Sequence, residues 1–422
     1  MQILLSLSVA LFAGLMLSRL AKSAKLPAVT AYLVAGILIG PFCLGQFGIE
    51  GLGFTSLASV KSFSIICDVA LGFIAFLIGN EFRLSSLKQI GRQATIIGIM
   101  QAVVTTVIVD IALISLHFAM QDKLSLSAAI VLGAVAAATA PAATLMVVKQ
   151  YKAKGPLTSI LLPVVALDDA VGLVVFAVSF GVADAFATGT VSVISVLVEP
   201  LLEVVLSLLL GALMGFLFHF CERFFHSRSK RLSMSVTFVL LTVALSKLTF
   251  EIGKVHIGFS SLLVCMMLGT VFCNICDFSE ELMDRVDRWS SPLFILFFVL
   301  SGAELDLLVF GDFMIVLIGV IYIVARSLGK YVGAYSSAKI SGCDENIVKY
   351  LGITLLPQAG VALGMAMKAG ELADGGAIVA NITLFAVLVY EIIGPVLTKI
   401  MLLKAGEINP EEKKSARVKD KV

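Results

Sequence analysis

Charge is scarce in this chain. Of its 422 residues 14% are charged and 59% hydrophobic, and the mean hydropathy is +1.04. A water-soluble domain cannot hide so much apolar surface, so the composition excludes a soluble enzyme and implies a polytopic membrane protein. The formal net charge of +2 is too small to indicate a nucleic-acid partner. Histidine is rare, with four residues dispersed along the chain, and no HExxH or similar ligand spacing occurs. The seven cysteines are scattered. Cys273 and Cys276 form an isolated CNIC pair, and a zinc or redox site needs a second pair or nearby histidines. No cofactor is expected. Runs that alternate apolar with polar residues are also lacking, which excludes a membrane β-barrel.

What is present is a series of continuous apolar runs, about 13 of them long enough to cross a hydrocarbon core of ~30 Å. They lie near 2–20, 26–45, 61–80, 94–117, 125–148, 156–182, 191–221, 232–250, 256–275, 290–303, 311–338, 346–369 and 377–402. The expected fold is therefore an all-α polytopic membrane protein. The first run has neither a basic leader nor a small-residue cleavage site and reads as a retained helix.

Basic residues divide unequally between the loops. One side carries Arg19, Lys22, Lys25, Arg83, Lys88, Arg92, Lys149, Lys152, Lys154, Arg223, Arg228, Lys230, Arg231, Arg285, Arg288, Lys339 and Lys349, as well as the basic tail. The other side has Lys61, Lys123, Lys247, Lys254 and Lys368. The positive-inside rule then places the N-terminus outside and the C-terminus in the cytoplasm, with a bacterial inner membrane as the expected location.

Spans 5 and 12 echo one another. AATAPAATLM holds Pro141 and TLLPQAGVALG holds Pro357, each proline amid small and polar residues. A proline in mid-helix removes a backbone hydrogen bond and clashes with the preceding turn, which a membrane tolerates where the freed groups face protein or water. The two spans are an odd number apart and so run in opposite directions. Paired interrupted helices of opposite orientation point to an inverted-repeat transporter whose site lies where they cross, near Pro141, Pro357 and Gln358.

Within ALDDAVGLVVFA, Asp168 and Asp169 lie about 14 residues, or ~21 Å of helix, past the cytoplasmic Lys154. An acid at the midplane costs roughly 2.5–3.5 kcal/mol to insert, so two adjacent acids need compensation. Neighbours on a helix are rotated by ~100°, so the two carboxylates cannot serve one partner equally. Arg326 and Lys330 lie in span 11 four residues apart, on one helix face. Lys330 is the natural partner for one acid, and the other is left for a passing cation. Proton and cation compete for the same oxygens, which is the chemistry of an antiporter. Thr139, Thr144 and unwound carbonyls near Pro141 are candidate neutral ligands. Asp110, Glu391 and Arg326 are candidate pathway residues, and Glu81 reads as a group at a helix end.

These residues resemble a known family. The stretches LPAVTAYLVAGILIGP, GFIAFLIGNEFRL, ATAPAAT, ALDDAVGLVVFA, SPLFILFFVLSGAELDL, SLGKYVGA and LPQAGVALG are similar to those of the monovalent cation:proton antiporter superfamily, in the branch of bacterial sodium–proton and potassium–proton exchangers. The resemblance implies a scaffold that dimerises (1–92 and 226–307), a core holding the site (93–186 and 308–404), a long linking helix (187–225) and a cytoplasmic tail (405–422). It implies Asp169 as the carrier of Na⁺ and proton, with Asp168 paired to Lys330, and a homodimer exchanging Na⁺ or Li⁺ for protons electrogenically. Many relatives carry Arg-Gly-Glu where this chain has Gln358, Ala359 and Gly360, so the chain departs from the family pattern there.

Two other readings compete. A K⁺/H⁺ antiporter keeps the mechanism and changes the ion. An intramembrane aspartyl protease also needs two buried acids, but on facing helices and with a GxGD element that this sequence lacks.

Overall fold

The computed structural model describes residues 2–23, 26–48, 53–120, 123–188, 199–252, 255–304, 311, 313–370, 372 and 375–408. Residues 409–422 of the expected tail and 189–198 of the expected linking helix lie outside the described residues, as does the side chain of Glu81.

The described chain is helical almost throughout. Its first third comprises α1 (Gln2–Ser23), α2 (Ala28–Ile39), α3 (Leu57–Lys61), α4 (Ser64–Gly79) and α5 (Leu84–Ala119). Next come α6 (Leu126–Val135), α7 (Pro141–Gln150), α8 (Pro156–Thr188), α9 (Glu199–Glu222) and α10 (Arg228–Ser246). The chain continues with α11 (Ser261–Ile275), α12 (Ser279–Glu304), α13 (Phe313–Ile340), α14 (Glu345–Thr354), α15 (Gly360–Ala369) and α16 (Gly376–Lys404). Among the described residues, seven helices are long and apolar enough to cross a membrane.

Two details depart from the sequence reading. The helix over the short tenth run begins at Ser279, because SEELMDRVDR continues it as a polar, acid-started extension. Between α10 and α11 the chain forms a small antiparallel hairpin of β1 (Phe250–Ile252) and β2 (Val255–Ile257), which continuous hydropathy does not reveal.

Helices α6 and α7 are separated by 136–140, and α14 and α15 by 355–359. Proline accounts for the location of each break. Pro141 is the first residue of α7, where its missing N–H costs nothing, and Ala140 before it is extended at φ −83°, ψ 102°. Pro357 stands inside the second break. The two breaks lie against each other, with Ala140 N donating to Pro357 O at 2.8 Å.

Small residues set how closely the helices approach, as expected where lipid is as apolar as the side chains. Gly36 of α2 and Gly302 of α12 leave no room for a Cβ against the partner's backbone. On α13, a Cβ at Gly329 or Gly333 would stand 2.8 Å from the Cα of Thr105 or Gln101, so α5 and α13 touch backbone to backbone. One apolar cluster gathers residues of α5, α6, α8, α13, α15 and α16; another gathers residues of α1, α2, α3 and α12.

Candidate functional site

Helix α8 runs unbroken past Pro163 and places Asp168 and Asp169 deep in the protein, 0% and 1% exposed. Asp168 is fully engaged. Its Oδ2 accepts from Lys330 Nζ at 2.8 Å and from Thr139 Oγ1 at 2.5 Å, and its Oδ1 accepts from Gln101 Nε2. Lys330 Nζ also lies 2.8 Å from Thr139 Oγ1, 2.9 Å from Gln101 Oε1 and 2.5 Å from Ala137 O. Four oxygens thus surround an ammonium with three protons, which fixes its charge in place.

Asp169 differs in kind. Neither of its carboxylate oxygens has a hydrogen-bond partner among the described residues. The ~100° rotation between neighbours carries it away from the Lys330 web. An ionised carboxylate with no donor is unstable out of water, so this group needs a proton or a cation.

The first break is held by side chains. Val135 O accepts from Gln358 Nε2 at 2.9 Å, Ala136 O from Arg326 Nε at 3.0 Å, Ala137 O from Lys330, and Ala138 O from Arg326 Nη2 at 2.7 Å. Four successive carbonyls that a continuous helix would have satisfied are met from α13 and from the second break. Arg326 Nη1 reaches across to Leu356 O at 2.8 Å, tying the two breaks together, and its guanidinium lies 4.5 Å from the Tyr390 ring centre.

The sequence-predicted residues therefore separate. Asp168, Thr139 and Lys330 come together in one web, with Arg326, Gln358 and Pro357 beside it. Thr139 is bound to the paired acid and its lysine. Thr144 folds back on Ala140 O at 3.2 Å. Arg326 is 0% exposed and occupied by carbonyls, so it holds backbone and does not face an open path. Asp110 stands apart on α5 against Gly133 of α6, with Oδ1 unpartnered. Glu391 stands apart on α16, buried, with Oε2 unpartnered.

Gln101 was not anticipated. It bridges both members of the Asp168–Lys330 pair, and its one trace in the sequence is a lone amide in the apolar run GIMQAVVTTVIVD. Glu407 was assigned to the tail, yet it is 8% exposed and caps α8. Its carboxylate accepts from Leu157 N at 2.5 Å, Thr158 N at 2.7 Å and Thr158 Oγ1 at 2.6 Å.

A paired acid thus lies beside a bare one at the meeting of two broken helices. Comparison with known proteins finds that the profile of the transmembrane sodium/hydrogen exchanger family matches residues 7–404. The chain belongs to that family. It is accordingly a multi-pass integral membrane transporter and not an enzyme. Its fold is similar to that of the sodium proton antiporter MjNhaP1 from Methanocaldococcus jannaschii at pH 8, with a TM-score of 0.65 and 19% identity over 96% of this chain and 99% of that one. An electron-microscopy structure of MjNhaP1 from the same organism gives a TM-score of 0.67 and 19% identity over 95% and 94% of the two chains. No curated protein sequence matches the chain.

Proposed function

We propose that the protein is a secondary active antiporter that exchanges Na⁺ or Li⁺ for protons, with Asp169 as the shared carrier. Membership of the exchanger family supports antiport of a cation and protons. The observation that carries the residue assignment is the contrast on α8: Asp168 has donors on both oxygens, while Asp169 has none. A proton neutralises Asp169 in one half-cycle and a monovalent cation in the other. Asp168 does not compete, because Lys330 holds it.

The reading has thirteen spans, with the broken helices α6–α7 and α14–α15 crossing at the site, the N-terminus outside and the C-terminus in the cytoplasm. Helices α5–α8 and α13–α16 form a core that slides, elevator-like, past a dimeric scaffold of α1–α4 and α10–α12, with α9 between them. An inner bacterial membrane fits the charge asymmetry of the loops. Asp169 by itself exchanges one proton for one monovalent cation, so the electrogenic exchange that the family resemblance implies needs a second proton per cycle from another group.

The test is proton flux in proteoliposomes holding a set ΔpH, with Na⁺, Li⁺ and K⁺ added in turn. Dissipation by Na⁺ or Li⁺, lost in Asp169→Asn, is the expected result. A response to K⁺ alone keeps the mechanism and changes the ion. No response to any of the three rejects the antiport reading.

A further inference from the structure

Glu391 has no part in the web around Asp168. It lies mid-way along α16, is 4% exposed, and its Oε2 has no hydrogen-bond partner among the described residues. Two contacts orient this part of the helix. Ile392 O accepts from Thr30 Oγ1 of α2 at 3.4 Å, and Gly394 packs on the Pro357 ring, whose Cγ would stand 2.9 Å from a Cβ placed there. Glu391 therefore sits within one turn of the second break, at the seam between α16 and α2.

The charged groups around it are few. Glu304, the half-buried last residue of α12, is near enough to repel it. Lys61 of α3 attracts Glu304. From α2 comes Thr30, a neutral group. From α13, Arg326 lies over Tyr390 on the neighbouring face and gives its protons to carbonyls. Thr398 is seven residues on, on the same face as Glu391, and it too is buried with its oxygen unpartnered.

We propose that Glu391 is a second proton-binding site of this transporter, separate from the carrier acid. A buried carboxylate oxygen with no donor, on a group that another acid repels, favours the neutral acid. The consequence rests on the reading of α16 as part of the sliding core. A neutral Glu391 lets an apolar face of α16 pass α2, while a charged one holds it back, so the proton on Glu391 gates movement.

Infrared difference spectroscopy of the protein in lipid, titrated from acid to alkaline pH, tests the site without relying on transport. The Asp169→Asn variant removes the carrier acid from the spectrum. A protonated-carboxyl band that titrates in Asp169→Asn and is lost in Asp169→Asn/Glu391→Gln is the expected result, and Glu304→Gln in the Asp169→Asn background should move its midpoint. In transport-competent protein, Glu391→Gln should shift the pH profile of exchange. An unchanged band in the double variant, or a profile that superimposes on wild type, overturns the proposal. If the Glu391 band titrates while wild type shows no cation-driven proton flux, the proton site stands and the antiport reading falls.

Discussion

Lys330 donates to Asp168 across 2.8 Å, with both side chains 0% exposed. The contact divides the acid doublet into two chemically distinct groups. One acid is paired with a cation from α13. Its neighbour, turned by ~100° along α8, has no hydrogen-bond partner among the described residues.

Replacing Lys330 by Ala should therefore destabilise the fold as well as stop exchange. Asp168 would keep Thr139 and Gln101 but lose its counter-charge, and Ala137 O would lose its donor. Breaking a buried pair from one side costs about 3–5 kcal/mol. Thermal unfolding in detergent should register a clear fall in Tm. A Tm equal to wild type would mean that the pair contributes nothing to the folded state. Asp168→Asn with Lys330→Met should recover part of the loss, since removing both charges leaves neither one buried alone.

Arg326→Lys tests the strapping of the breaks. A guanidinium presents donors in a planar fork that reaches Ala136 O, Ala138 O and Leu356 O at once, whereas an ammonium is a point charge on a flexible stem. Each carbonyl left buried and unpaired costs about 1–3 kcal/mol. The conservative change should thus lower Tm and reduce sodium-driven proton flux together. Wild-type values for both would show that the breaks hold themselves.

How much of this was legible in the sequence depends on the kind of group. Buried charges announce themselves, because each needs an opposite partner inside the membrane. Asp168 and Lys330 were therefore readable as partners from one chain of letters, and prolines marked both breaks. Gln101 was not readable, since an amide in an apolar run has no required partner. Arg326 was legible as a buried cation but not in its role, because backbone carbonyls leave no trace in a sequence. Glu407 was hidden by its neighbours, a charged tail in which one acid is docked.

Gly333→Ala should impair the site from a distance. Its new Cβ would stand 2.8 Å from Gln101 Cα and 3.1 Å from Gln101 O, both backbone atoms that cannot turn aside. Helix α5 must then retreat from α13, carrying Gln101 away from Asp168 and Lys330. Overpacking of this kind costs typically 1–3 kcal/mol. Gly364→Ala on α15 is the control, since its Cβ meets nothing within 4 Å. There the loss of glycine's freedom should be neutral or stabilising by about 0.5–1 kcal/mol. Equal effects from the two variants in Tm and in flux would refute the close-approach argument.

The end of α16 should matter to the helix that carries the acids. Gly406, at φ +75°, turns the chain out of the helix, with Gly406 N donating to Leu403 O at 3.1 Å and Glu407 N to Leu402 O at 3.0 Å. That turn delivers Glu407 to the first turn of α8, and Lys154 N closes the contact by donating to Glu407 O at 3.0 Å. Gly155 alone leaves space for the carboxylate, because any Cβ there would overlap it. Removing an N-terminal cap costs about 0.5–2 kcal/mol. Deleting residues 409–422 should leave Tm unchanged, whereas ending the chain at Gly406 should lower it, as should Glu407→Ala. Thr158→Ala should add little once Glu407→Ala is present, because the hydroxyl's acceptor is already gone. Additive losses from the two substitutions would mean that each acts on α8 by itself, and that the tail does not cap the helix.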